Sequence, residues 1–123
     1  MKQLALVFIG GGLGTALRYG IGKWTSDSFT HFTLGTFSVN MIGSLIIGIV
    51  LGLVAKNSSI SQNTVVFIAT GFCGGFTTFS TFAYENYTLL KDGDLITFAI
   101  YTIGSLALGI GAVIFGIWLA RFY

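Results

Sequence analysis

The sequence predicts an all-α membrane protein that consists almost entirely of four transmembrane helices. Of its 123 residues, 54% are hydrophobic and only 8% are charged, and the mean hydropathy is +0.87. A small soluble domain needs far more charged surface than this. Apolar stretches of spanning length account for nearly the whole chain, so we expect a single transmembrane domain over residues 1–123.

The predicted spans cover residues 4–21, 33–55, 64–90 and 95–122. Each is close to or above the roughly 20 residues that cross about 30 Å of hydrocarbon. The first stretch follows a basic start, Met1-Lys2, as a signal peptide would. Because it lacks a small-residue cleavage site and three more spans follow, we interpret it as the first helix.

Several functional classes have little support in the sequence. The single cysteine, Cys73, excludes an internal disulfide and a cysteine metal cluster, and the single histidine, His31, does not support a histidine metal site. The net charge of +2 is too small to indicate nucleic acid binding. No nucleophile, base and orienting group occur together, so we do not expect an enzyme.

The basic residues show no bias between the two predicted sides of the membrane. Lys2, Lys56 and Arg121 fall on one side, and Arg18, Lys23 and Lys91 fall on the other. Orientation usually follows an excess of Lys and Arg in the cytoplasmic loops. Either the count is small and noisy, or the chain inserts in both orientations. In the second case a copy could pair with its own inverted copy around a two-fold axis in the membrane plane.

Small residues recur at four-residue spacing, which favours close helix contacts. They are Gly10 and Gly14 in the first span, Ser44, Gly48 and Gly52 in the second, and Ala112, Gly116 and Ala120 in the fourth. The pattern is compatible with packing inside one chain and with packing between two chains.

The third span contains a poor helix sequence, in which Gly74-Gly75 is followed by Phe76-Thr77-Thr78. Glycine loses the most backbone freedom on ordering, and β-branched threonine resists helical rotamers. We therefore expect this helix to break near its middle, with the glycines opening the backbone so that carbonyls face an ion. The alternative is close helix packing at the glycines without a break.

Polar and aromatic residues of the spans fall on separate faces. On a helix that resumes after the break, Phe79 and Phe82 share one arc, and Thr77, Thr78, Thr81, Glu85 and Thr88 lie opposite. Further polar rows are Asn40 with Ser44, and Thr97 with Tyr101 and Ser105. Amides and hydroxyls donate hydrogen bonds without fixed charge, and phenyl edges are weakly positive. The combination suits a small anion.

The motifs resemble those of the Fluc (CrcB) fluoride channels of bacteria. The similar stretches are GGFTTFSTF at residues 74–82 with Glu85, GTFSVN at 35–40, GGLG at 11–14 with Arg18, and Tyr101 to Ser105. The resemblance covers the whole chain, and its third-span motif is highly specific. It implies an inverted, dual-topology homodimer in the bacterial inner membrane, surrounded by lipid. Two pores would let fluoride leave the cell passively and would exclude chloride.

The resemblance also implies residue roles. Phe79 and Phe82 are similar to the aromatic pair whose ring edges contact fluoride. The polar pore residues implied are Asn40, Ser80, Thr81, Glu85, Tyr101 and Ser105. Arg18 is similar to a vestibule arginine. The carbonyls of Gly74 and Thr77, from both subunits, would hold a central structural sodium ion.

Two other functions compete with a channel. A small four-helix, proton-coupled exporter of the multidrug type would need a titratable carboxylate deep in the membrane, typically in the first span, where there is none. A membrane subunit that only scaffolds a larger complex would leave Asn40, Tyr101 and Ser105 without a reason to be polar.

Overall fold

The computed structural model describes residues 1–28, 33–57 and 59–123, and these ranges contain helices and turns but no strand. Four helices are long and apolar enough to cross a membrane: Lys2–Ser26, Thr33–Lys56, Gln62–Lys91 and Leu95–Ala120. The predicted all-α fold with four spans and an interrupted third span is therefore confirmed. His31 and part of the predicted first loop lie outside the described residues.

The first two helices are continuous. Helix α1 covers Lys2–Ser28 and α2 covers Thr33–Lys56, so α1 continues into the segment that we expected to be a loop. In this extension the Thr25 hydroxyl donates to the carbonyls of Ile21 at 2.9 Å and Gly22 at 3.0 Å. A hydroxyl that bonds to its own helix lets a polar residue stay within the helical turn.

The third span has two helical parts. Helix α3, residues 62–76, begins with the α-helical turn Gln62–Val65, continues as a π-helical segment over Val66–Cys73 and ends with the α-helical turn Gly74–Phe76. Helix α4 covers Phe79–Lys91, and α5 covers Leu95–Ala120 after a turn in which Gly93 has a φ of 76°. Sequence periodicity did not predict the π-helical segment, a feature that often occurs near functional sites.

The break lies at Thr77 and Thr78. Thr77 has φ −82° and ψ 157°, and Thr78 has φ −150° and ψ 116°, so both leave the helical region. The Thr78 hydroxyl caps α4 by accepting from the Thr81 amide at 3.3 Å. A side-chain oxygen in this position satisfies one of the amides that the start of a helix leaves unpaired.

The prediction that the glycines open the backbone is therefore wrong. Gly74 is helical, with φ −61° and ψ −37°, and Gly75 lies inside the last turn of α3. A Cβ atom on Gly75 would overlap the carbonyl oxygen of Gly11 and lie 2.9 Å from the Thr15 hydroxyl. Gly75 therefore serves close packing on α1, and the two threonines that follow it form the break.

Close contacts between backbones join the helices in pairs. Gly10 and Gly14 of α1 lie against the backbone of α3, and Gly48 of α2 lies against Val113 of α5. Gly116 of α5 lies against the backbone of α2 in turn. These small residues therefore make their close helix contacts within one chain. Of the two alternatives that the sequence allowed, packing inside one chain and packing between two chains, the first holds for them.

Candidate functional site

The side chain of Asn40 bridges the break. The Thr78 amide donates to Asn40 Oδ1 at 2.8 Å, and Asn40 Nδ2 donates to the Thr78 carbonyl at 3.2 Å. Asn40 thus supplies hydrogen-bond partners for the amide and the carbonyl of Thr78 at the break. Backbone polar groups inside a membrane require such partners, because lipid offers none. The amide nitrogen carries two hydrogens, and this pair uses one of them.

The two phenylalanines lie side by side at the start of α4. Their ring centroids are 5.9 Å apart and their planes are tilted by 45°. Phe79 is 78% exposed, whereas Phe82 is only 9% exposed and stacks on Tyr101 at 5.1 Å. One ring is thus held by α5, while the other faces outward from the chain.

Glu85 lies in a buried polar cluster between α4 and α5. It is 2% exposed, and its Oε1 accepts from the Tyr101 hydroxyl at 3.4 Å. Its Oε2 has no hydrogen-bond partner among the described residues. Tyr101 contacts both Phe82 and Glu85. The sequence pattern placed these two residues on opposite sides of their helix, and in the structure both contact the same tyrosine.

Thr36 belongs to the same cluster, although we did not select it from the sequence. It is buried, and its side chain lies close to Glu85 and Tyr101. The available signal was spacing: Thr36, Asn40 and Ser44 follow one another at four-residue intervals along α2 and so share one face.

The remaining predicted pore residues fall in different places. The Ser105 hydroxyl, one turn beyond Tyr101, is buried and has no partner among the described residues. The hydroxyls of Ser80 and Thr81 lie 3.3 Å and 3.1 Å from the Thr78 hydroxyl, at the exposed side of the break. The structure therefore joins Phe82, Glu85 and Tyr101 directly, and it places Ser80 and Thr81 apart from them.

Arg18 lines an open cleft of about 420 Å³ between α1, α2 and the break. Lys23, Thr36, Thr78 and Thr81 also line it. Arg18 is not a free surface charge, because its Nε donates to the Gly75 carbonyl at 3.0 Å. A cation bonded to the last turn of α3 also complements the negative end of the helix dipole.

The carbonyls of Gly74 and Thr77 lie where α3 ends. The amide and the hydroxyl of Thr77 both donate to the Cys73 carbonyl, at 2.9 Å and 2.8 Å. The Thr78 amide, which would bond to the Gly74 carbonyl in an uninterrupted helix, donates to Asn40 instead. A Cβ atom on Gly74 would meet nothing within 4 Å, so this side of the break is open.

Comparison with known proteins gives the family. A family model described as "CrcB-like protein, Camphor Resistance (CrcB)" matches residues 5–117. The chain belongs to this family. A protein from Gloeothece citriformis is 48% identical over 122 residues, which are 98% of this chain and 98% of that relative. A protein from Phocaeicola vulgatus is 43% identical over 98% of this chain and 100% of its own length.

A third relative, from Azobacteroides pseudotrichonymphae, is 40% identical over 100% of this chain and 99% of its own length. All three relatives carry the name "Fluoride-specific ion channel FluC". The family resemblance that the motifs predicted is therefore confirmed over nearly the whole CrcB chain.

The bridge from Asn40 to Thr78 leads to a testable prediction. In Asn40→Leu, the amide and the carbonyl of Thr78 both lose their partner, which should lower the free energy of unfolding by about 1 to 3 kcal/mol for each unpaired group. Hydrogen exchange at the Thr78 amide should also accelerate. Ser44→Ala, one turn further along the same face of α2, is the matched control and should leave exchange at Thr78 unchanged. Equally slow exchange in Asn40→Leu would contradict the bridge.

Proposed function

We propose that the protein is a fluoride-selective channel that lets fluoride cross the bacterial inner membrane passively, and that it is not an enzyme. The observation that supports this most strongly is the set of uncharged donors and aromatic rings around the break. Asn40 has an amide hydrogen beyond the one in its bridge, Ser105 has a buried hydroxyl without a partner among the described residues, and Phe79 presents its ring outward. The names of the relatives agree with this function.

The chemistry of these groups matches the demands of a small anion. Fluoride holds its water tightly, so a narrow path must replace that shell with closely spaced donors. Amide and hydroxyl donors bind less strongly than fixed positive charges, which lets the ion leave again. Glu85 brings a carboxylate to this path, and the hydroxyls of Tyr101 and Thr36 lie beside it. The open cleft with Arg18 and Lys23 would attract anions towards the entrance.

The same surface supports an antiparallel homodimer with two pathways. The break, Phe79 and the depression lined by Asn40, Ser44 and Thr77 lie at the outside of the single chain. Irregular backbone at membrane depth is tolerated only where protein or water covers it, not lipid. A second, inverted copy would cover it, and the even distribution of Lys and Arg permits both orientations. Exposed apolar residues elsewhere, such as Ile100 and Ile103, suit lipid.

The open end of α3 fits a monovalent cation at the two-fold axis. Backbone carbonyls are suitable ligands for such ions, and those of Gly74 and Thr77 have no backbone partner among the described residues. Two antiparallel copies would contribute four such oxygens. A sodium ion bound there would supply positive charge near the midplane and lower the energy of passing anions.

A proton-coupled exporter is the alternative function. It would need a titratable carboxylate in the first span, but residues 2–26 contain neither Asp nor Glu. Glu85, in the third span, is already bonded to Tyr101. The structure therefore offers less support for proton exchange than for a passive path.

Flux measurements in liposomes test the channel. Purified protein should release trapped fluoride down its gradient without a proton gradient, and it should retain chloride. Phe82→Ile should slow fluoride release roughly two- to tenfold, since an aromatic contact is worth about 0.5 to 1.5 kcal/mol. Phe72→Ile is the control, because the Phe72 ring pairs with Phe76 in α3. Equal chloride flux, or strict dependence on protons, would contradict a fluoride channel.

Gly74→Leu tests the paired breaks and the sodium ion together. A Cβ atom at this position meets nothing within 4 Å in the single chain, so we expect the fold of one chain to tolerate a larger residue. If a second copy faces Gly74, the variant should lose the dimer in size-exclusion chromatography, together with any stabilisation by sodium over N-methylglucamine. Gly20→Leu, also without a neighbour within 4 Å, is the control. An intact, sodium-stabilised dimer in Gly74→Leu would refute this arrangement.

A further inference from the structure

One buried and one half-buried polar residue outside the proposed ion path connect α4 to α5. They are Asn86 and Thr102, each one residue beyond a member of the Glu85–Tyr101 contact. Asn86 is only 7% exposed, and its Oδ1 accepts from the Thr102 hydroxyl at 3.0 Å. Its Nδ2 donates to the Phe82 carbonyl at 3.1 Å. The Asn86 amide is therefore held at both ends, once by its own helix and once by α5.

The other contacts between these helices determine their register less strictly. Phe82, Leu89 and Tyr101 form an apolar cluster with Phe98, and apolar burial has little directionality. The Glu85–Tyr101 hydrogen bond is 3.4 Å long, beyond the range in which such a bond is strong. The shorter, two-ended Asn86 contact is the directional element beside them.

We propose that Asn86 and Thr102 are a positioning pair that sets the rotation of α4 against α5. They would thereby place the Phe82 ring and the Glu85 carboxylate relative to Tyr101. Neither residue belongs to the set that we assign to the proposed ion path. The proposal rests on the proposed function, since its consequence is the geometry of the fluoride path.

The double variant Asn86→Leu/Thr102→Val separates positioning from simple packing. Each single variant leaves the other polar group unpaired, the buried Asn86 amide or the half-buried Thr102 hydroxyl, which destabilises the protein. The double variant removes both partners and keeps the number and branching of the side-chain heavy atoms, so stability should return, with a thermal midpoint within about 2 °C of the unmodified protein. If the pair positions α4, fluoride flux should nevertheless stay about tenfold lower, because a loosely held site loses function without loss of fold.

The half-saturating fluoride concentration provides a second readout and should rise in the double variant. Thr25→Val is the matched control: it removes a buried hydroxyl that bonds only to carbonyls of α1, and it should change neither flux nor half-saturation. A stable double variant with unmodified flux and half-saturation would overturn the proposal.

Thr102→Ser and Thr102→Val decide the matter if the double variant does not fold. Thr102→Ser keeps the hydroxyl that bonds Asn86 and should retain flux, whereas Thr102→Val should lower it; equal flux in the two would overturn the positioning role. The unmodified protein distinguishes the two proposals. If it carries no fluoride, the proposed function fails; if it carries fluoride and the variants match it, only the positioning role fails.

Discussion

The structure depends on the pair of hydrogen bonds between Asn40 and Thr78. These bonds let the backbone leave the helix at Thr77 and Thr78 inside an apolar span, where unpaired amides and carbonyls would cost several kcal/mol. Because Asn40 hydrogen-bonds to the amide and the carbonyl of Thr78, α3 can end and α4 can begin at membrane depth. The outward Phe79 ring, the open carbonyls of Gly74 and the hydroxyls near Thr78 all follow from that interruption.

The hydroxyl and amide groups near the break are uncharged, and this links the break to the proposed function. Hydroxyl and amide groups can exchange a small anion among them without holding it as firmly as a fixed charge would. Arg18 donates through Nε to the Gly75 carbonyl and lines the cleft. The same interruption leaves polar backbone at the surface of one chain, so the proposed ion path and the proposed partner copy would have one origin.

Sequence patterns predicted the number of spans, the interruption of the third and the polar face of α2, because hydropathy and periodicity report directly on burial in a membrane. They located the break within residues 74–78 but assigned the opening of the backbone to Gly74 and Gly75, whereas the residues that leave the helix are Thr77 and Thr78. Propensity alone cannot tell a glycine that loosens a helix from one that admits a neighbour, and Gly75 admits α1.

Other features depended on tertiary contacts. The role of Thr36 requires that α2 face Glu85 and Tyr101, and a single helix pattern does not specify that neighbour. The π-helical segment changes the register of α3 without a distinct residue signature. The Asn86–Thr102 contact likewise joins two helices whose relative rotation is not encoded in the periodicity of either one.

The most direct test of the account is fluoride flux through two copies of the chain joined in one polypeptide. A linker that contains one additional membrane span forces the second copy to be inverted, whereas a short polar linker forces both copies to share one orientation. The account predicts fluoride release that excludes chloride from the inverted fusion and none from the parallel fusion. Flux from the parallel fusion alone would contradict it.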